Sequence, residues 1–142
     1  MAGPVRKVAG QGFVLDAHAV VALLYDEPGA ETIRSLLRDA EAGRTRLGLT
    51  TVNAGEVVLA SERLGGAEAS HRTLDLLQVL PIDLVTVDLE LASRAAYLKR
   101  RGGISFADCF AAGLAMRDGV PVVTGDREFE RVADVVPVVW LD

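Results

Sequence analysis

The sequence has few of the side chains that bind soft metals or form covalent cross-links. Among its 142 residues there is one cysteine, Cys109, and there are two histidines, His18 and His71. A single cysteine excludes an intrachain disulfide and a cysteine metal cluster, and we interpret Cys109 as a small buried thiol. With so few nitrogen and sulfur ligands, a zinc site is disfavoured.

Long hydrophobic runs are also missing. The longest uncharged apolar run, Ala19–Tyr25, is far shorter than the roughly 20 residues that cross a bilayer. Residues 1–12 contain Arg6 and Lys7 but no apolar segment followed by a cleavage site, so the sequence predicts neither a signal peptide nor a membrane anchor. We therefore expect a cytoplasmic protein without membrane contact, in which residues 1–12 form a flexible N-terminal arm.

The chain also has no excess of positive charge. Its net charge is −5, which argues against a protein that coats nucleic acid, because such proteins present a basic face. An enzyme that acts on a phosphodiester at one local site is not excluded. Half of the residues are hydrophobic and a quarter are charged, a composition typical of globular proteins.

Short β-branched runs alternate with longer helical patterns along residues 13–142. Because no two strand patterns are joined by a two-residue hairpin turn, the sequence predicts one α/β domain with a central, mostly parallel sheet of about five strands flanked by helices. The predicted strands are 12–16, 46–50, 81–87, 120–126 and 136–140, and the predicted helices are 17–25, 29–42, 52–64, 67–79, 89–101 and 104–118.

Four acids occupy strand ends or first turns of helices: Asp16, Glu56, Asp108 and Asp126. In a parallel α/β sheet these junctions gather at the carboxyl edge of the strands, where ligands bind. The placement of Asp108 is less direct, because its helix follows another helix. We therefore expect the four carboxylates to converge, provided that the helix of Asp108 begins at that edge.

Each acid also has a purely structural interpretation as a helix cap. Asp16 and Asp126 precede helical segments, while Asn53 with Glu56, and Ser105 with Asp108, have the spacing of capping boxes. A cap or a helix dipole typically returns about 1 kcal/mol. Two like charges 4 Å apart cost about 4 kcal/mol at an effective dielectric of 20, so a converged cluster requires a proton or a cation. An all-oxygen set of ligands suits Mg²⁺, with Mn²⁺ as a substitute.

The motifs that carry these acids resemble those of PIN-domain ribonucleases, and in particular the VapC-type toxins of toxin–antitoxin pairs. The resemblance rests on VLDAHAVVALL, NAGEVV, ISFADCFAAGLA and VVTGDREF. It implies a Mg²⁺- or Mn²⁺-dependent ribonuclease whose catalytic and metal-binding residues are the four acids. Asp16 and Asp108 would be the main metal ligands, Glu56 would hold the ion or orient the attacking water, and Asp126 would act through a bound water.

Three further polar residues stand at positions where the family has a typical residue. Two of them match it and one departs from it. Thr124 matches a hydroxyl beside the fourth acid, and Asn53 matches a polar residue before the second. His18 stands where the family usually has a small Ser or Thr. We expect His18 either to pack beside the site or to bond a ligand water or the scissile phosphate.

The resemblance further implies an RNA substrate, a small VapB-like antitoxin as partner and a homodimer. The basic triplet Lys99, Arg100 and Arg101 is a candidate for RNA backbone contact, but its position at a helix end favours the alternative that it complements the helix C-terminus. A phosphate-receiving signalling domain is rejected because Asp16 is followed by Ala17 and no lysine follows Lys99. A catalytically silent PIN-like binding module remains the alternative.

Overall fold

A computed structural model describes residues 12–142, which form a five-stranded sheet with helices on both faces. Every strand pair is parallel, so the predicted α/β architecture is confirmed. The strands are β1 (Gly12–Leu15), β2 (Arg46–Thr50), β3 (Asp83–Val85), β4 (Val122–Thr124) and β5 (Val138–Trp140). The helices are α1 (Ala17–Leu24), α2 (Ala30–Glu41), α3 (Thr51–Val79), α4 (Leu89–Lys99) and α5 (Phe106–Asp118), and a 3₁₀ helix spans Arg127–Val132.

The order of the strands determines where a site can form. The strand order is β3-β2-β1-β4-β5. β2 and β3 are added on one side of β1, and β4 and β5 are added on its other side. Such a reversal leaves a crevice beyond the carboxyl ends of the two central strands. Asp16 directly follows β1 and Asp126 lies two residues after β4, which places both at this crevice.

Two hydrophobic layers cover the sheet, one on each face. Successive strand residues point to opposite faces, and both central strands show this alternation. Val14 and Val122 pack with α4 and α5, whereas Leu15 and Val123 pack with α1, α2 and α3. All four of these side chains are fully buried, as expected for a parallel sheet covered on both sides.

Apart from α3, which joins two predicted helices, the element boundaries lie within two residues of the predicted ones, and three of the shifts have a local cause. α5 begins at Phe106 rather than at residue 104, because the hydroxyl oxygen of Ser105 accepts the first-turn N–H of Asp108 and caps the helix. α3 begins one residue earlier than predicted because Thr50 is its cap. The segment after Asp126 forms the 3₁₀ helix, so β4 ends at Thr124 instead of reaching residue 126.

The predicted flexible arm, residues 1–12, lies outside the described residues except for Gly12, which is the first residue of β1. Within residues 12–142, no helix combines the length and the apolar character needed to cross a membrane.

The predicted break between two helices at Gly65-Gly66 is a kink within α3. Gly66 has φ 79° and ψ −173°, a combination that essentially only glycine adopts. Gly55, in the same helix, has helical geometry and open space around its Cα. A Cβ at Gly66 would also meet no atom within 4 Å. The two glycines therefore form a matched pair that differs in backbone conformation and not in steric crowding.

We predict that Gly66→Ala lowers the free energy of unfolding by about 1–3 kcal/mol, because alanine is strained at this backbone conformation. Gly55→Ala, the matched control, should raise it by about 0.5–1 kcal/mol, because alanine is the better helix former. Urea denaturation followed by circular dichroism measures both. Equal effects of the two substitutions would contradict a kink that depends on glycine.

Candidate active site

Asp16 is both the cap of α1 and a buried acid at the sheet edge. Its Oδ1 accepts the N–H of Ala19 at 2.8 Å, and its Oδ2 accepts a short hydrogen bond from the Thr124 hydroxyl. The residue is only 1% exposed. Burial raises the pKa of the Asp16 carboxyl to about 6, although the hydrogen bonds from Thr124 and Ala19 and the nearby His18 act to lower it. Thr124 therefore lies beside Asp16, and its role in the site stays a prediction.

Asp108 does not complete the capping box that its spacing with Ser105 suggests. The Ser105 hydroxyl oxygen accepts the Asp108 N–H at 3.1 Å, but the Ser105 N–H donates to Oε1 of Glu128 at 2.8 Å instead of to Asp108. The interpretation of Asp108 as the acidic half of a box is therefore wrong. Its carboxyl group is left without a capping role and is largely buried.

The environment of Asp108 strongly favours its protonated form when no cation is present. Burial is the largest cause, and a hydrogen bond with Asp126 and the charges of Asp126 and Asp16 act in the same direction. Together they raise the pKa of Asp108 to about 8. Asp16, Asp108 and Asp126 thus form one electrostatic cluster, although they come from distant parts of the chain.

Asp126 caps the 3₁₀ helix and also faces Asp108. Its Oδ1 accepts the N–H of Glu128 at 2.9 Å, and its own N–H donates to the Thr124 hydroxyl oxygen at 2.9 Å. One carboxylate oxygen from each of Asp108, Asp126 and Glu128 lies within 4.8 Å of the other two. Sequence reasoning missed Glu128; its signal was an acid two residues after Asp126, which a short helical turn brings to the same side.

Glu56 approaches from α3 and is held by Asn53. The fully buried Asn53 donates its amide hydrogens to Oε1 of Glu56 at 3.1 Å and to the Ala107 carbonyl at 3.0 Å. Asn53 is not the helix cap that the N-x-x-E spacing suggested, because the Thr50 hydroxyl oxygen accepts the Asn53 N–H. Glu56 lies outside the close group of Asp108, Asp126 and Glu128 in the described part of the chain.

His18 packs on the backbone beside the acids. Its Nδ1 accepts the N–H of Gly125 at 3.3 Å. A Cβ added at Gly125 would meet the His18 ring at 2.5 Å, so the ring occupies the space that a side chain there would need. The contact accounts for a glycine directly before Asp126.

The basic triplet at the end of α4 already has partners within the protein. The Lys99 ammonium donates to the Ile104 carbonyl at 2.7 Å, and Arg101 forms a short ion pair with Asp134. Arg100 lies over the Tyr97 ring at 5.1 Å. These contacts favour a role in closing the loop after α4, and RNA contact by the triplet stays a prediction.

The donor set fits a hard divalent cation. Every ligand atom in the close group is a carboxylate oxygen, and Asp16 adds a fourth acid to the same field. Oxygen ligands and crowded negative charge suit Mg²⁺ or Mn²⁺ better than zinc, which prefers nitrogen and sulfur. The raised pKa values of Asp16 and Asp108 show that their charged forms are destabilised when no cation is present.

A profile of the PIN domain matches residues 13–135, most of the chain. The chain belongs to the PIN-domain family. A VapC ribonuclease of Mycobacterium bovis is 38% identical over 125 residues, which cover 82% of this chain and 92% of that protein. Ribonuclease VapC of Mycolicibacterium smegmatis is 35% identical over 133 residues, which cover 88% and 98%. The resemblance to VapC-type PIN proteins inferred from the motifs is therefore confirmed.

Solved structures with the same fold include toxin–antitoxin complexes. VapBC2 from Rickettsia felis, bound to a DNA fragment from its promoter, has a TM-score of 0.72 at 15% identity, covering 92% of this chain and 99% of that one. VapC20 of Mycobacterium tuberculosis, a sarcin–ricin loop cleaving toxin, has a TM-score of 0.68 at 16% identity, covering 84% and 94%. At these identities the likeness establishes the fold.

We predict that the metal-free PIN domain loses stability as pH rises through about 6 and then about 8, the folded-state pKa values of Asp16 and Asp108. Both values lie above those of the unfolded chain, so the folded state holds protons that the unfolded state has lost, and this contribution is complete only below about pH 4. Thermal unfolding in EDTA at about pH 6 and about pH 8.5 measures the loss.

Asp108→Asn should remove much of that pH dependence, because the amide cannot ionise. Asp75→Asn, at an exposed position on α3, is the control and should keep the wild-type dependence. Added Mg²⁺ should stabilise the wild type more at the higher pH. A wild type whose stability rises across this range would contradict the proposed protonation of the cluster.

Proposed function

We propose that this chain is a divalent-metal-dependent ribonuclease that acts as the toxin of a VapBC-type toxin–antitoxin pair. The observation that carries the proposal is the environment of Asp108. Its carboxyl group has no capping role, because Glu128 accepts the Ser105 N–H, and this buried acid faces Asp126 and Asp16. A fold gains nothing in stability from such an arrangement, whereas a cation site requires it.

Mg²⁺ is the proposed cofactor, with Mn²⁺ as a substitute. Asp16, Asp108 and Asp126 would hold it, and Glu128 is added to the residues inferred from the motifs because its carboxylate lies in the close group. Glu56 would act from the α3 side, where Asn53 fixes its orientation.

When bound, a divalent ion lowers the pKa of a coordinated water and neutralises charge that builds up on the phosphoryl oxygens. The residues of this chain set the geometry for that chemistry. The Thr124 hydroxyl donates to one carboxylate oxygen of Asp16 and accepts the backbone N–H of Asp126, so it holds both acids in place. Asn53 and Glu128 fix the start of α5, so that Asp108 cannot move away from the other acids.

The VapC ribonucleases of the two mycobacterial species are the basis for RNA as the substrate. We propose an antitoxin partner because VapC-like chains in solved structures of this fold are components of VapBC complexes. A homodimer and a cytoplasmic location remain predictions from the sequence, as do RNA contacts by Lys99, Arg100 and Arg101.

We predict that Asp108→Asn lowers divalent-dependent RNA cleavage by at least about a hundredfold, because a metal site loses a ligand. The metal-free variant should keep or gain stability, because the substitution removes a repelling acid and leaves the Ser105 cap in place. Cleavage of a labelled RNA with Mg²⁺ or EDTA, calorimetric titration with Mn²⁺ and thermal unfolding provide the measurements, with Asp75→Asn as control.

The same experiment separates the nuclease from a catalytically silent binding module. A cap-like Asp108 would show a stability loss of about 0.5–1 kcal/mol with unchanged affinity for divalent ions. A wild type that binds RNA but does not cleave it with any divalent ion present would establish the silent module instead.

A further inference from the structure

Arg127 immediately follows Asp126 and projects towards the last strand of the sheet. Its guanidinium carbon lies 4.7 Å from the centre of the Trp140 ring, a cation–π distance. Trp140 ends β5 and pairs in register with Thr124, whose hydroxyl bonds Asp16. The stacked guanidinium therefore lies at the same carboxyl edge as the acids, on the β5 side.

Three neighbouring cations near this edge are engaged in hydrogen bonds, whereas Arg100 is stacked on the Tyr97 ring. Arg131 donates to the Gly102 and Arg101 carbonyls at 3.0 and 2.9 Å, Arg101 pairs with Asp134, and Lys99 donates to the Ile104 carbonyl. By contrast, Arg127 forms no hydrogen bond or ion pair with the protein within residues 12–142, although Asp126 and Glu128 flank it in sequence. Its N–H donors are available at the rim of the site.

An available guanidinium held against an aromatic ring suits one ligand chemistry in particular. Stacking orients the planar group and leaves its edge open, and that edge matches two phosphate oxygens at once. The protein is acidic overall, so a polyanion approaching the crevice needs a local positive contact beside the carboxylates. Glu128 points to α5 through its bond to Ser105, which leaves the β5 side to Arg127.

We propose that Arg127 binds a backbone phosphate of the RNA next to the cleavage site, and that Trp140 is the positioning residue that holds its guanidinium ready. This inference rests on the proposed ribonuclease function. It places an RNA contact at a residue outside the basic triplet, in which Lys99 and Arg101 already have polar partners inside the protein.

The first test is steady-state cleavage of a labelled single-stranded RNA oligonucleotide in Mg²⁺. Arg127→Gln should raise KM about tenfold, the loss of one charge-assisted contact, with the Mg²⁺ concentration for half-maximal activity unchanged. The KM of Arg127→Lys should lie between those of the wild type and Arg127→Gln, because lysine keeps the charge but lacks the planar guanidinium that stacks on the ring. Trp140→Leu should raise KM as well, and Trp140→Phe should do so less.

The second test measures binding without cleavage. The same RNA is titrated against Asp108→Asn and against the Asp108→Asn/Arg127→Gln double variant over a range of KCl concentrations. Losing one phosphate contact should reduce the slope of log affinity against log salt by about 0.7. Arg72→Gln, at an exposed position on α3, is the matched control and should change neither KM nor slope.

The two tests separate failure of this inference from failure of the proposed function. A wild type without divalent-dependent cleavage defeats the nuclease, while the salt slope still reports on Arg127. An unchanged slope together with an unchanged KM overturns the role of Arg127. A fall in kcat or in thermal stability without a change in slope would show that Arg127 and Trp140 only brace the 3₁₀ helix, and would overturn it too.

Discussion

The structure depends on the close approach of carboxylates at the carboxyl edge of the sheet. Burial raises the pKa of Asp16 and of Asp108, the charge of Asp126 raises both further, and the charge of Asp16 adds to the effect on Asp108. The hydrogen bonds that Asp16 receives from Ala19 and Thr124 oppose this effect but do not cancel it. In its metal-free form the PIN domain therefore holds protons that a bound cation would replace, and the site opposes the stability of the fold that carries it.

The fold achieves this proximity although α5 follows another helix instead of a strand. The start of α5 is fixed by two contacts from other elements: Asn53 of α3 donates to the Ala107 carbonyl, and Glu128 accepts the Ser105 N–H. These contacts replace the strand-to-helix junction that places Asp16 and Asp126. Asn53 also bonds Glu56, and Glu128 is itself one of the grouped acids, so both side chains link the position of the helix to the arrangement of the acids.

Sequence patterns predicted the features that depend on local chemistry and missed those that depend on tertiary contacts. Strand order could not be predicted, but the strands and helices and the acids at their ends could, because periodicity and caps are local. The capping box of Ser105 was wrong because a distant partner competed: Glu128, 23 residues away, accepts the Ser105 N–H. The capping box of Asn53 was wrong for a local reason, because Thr50 is the cap of α3. Glu128 was missed because its contact with the start of α5 is distant in sequence.

Capping and metal binding are not exclusive alternatives for these acids. Asp16 caps α1 with Oδ1 and bonds Thr124 with Oδ2, and Asp126 caps the 3₁₀ helix with Oδ1 while facing Asp108. Backbone N–H donors partly stabilise the charged form of such a carboxylate. Burial is the largest cause of the raised pKa in both Asp16 and Asp108, but Asp108 also faces Asp126 directly, and of its contacts the Ser105 hydroxyl lowers its pKa. Its pKa of about 8 therefore exceeds the value of about 6 for Asp16, and Asp108 is the acid whose charged form a cation would stabilise most.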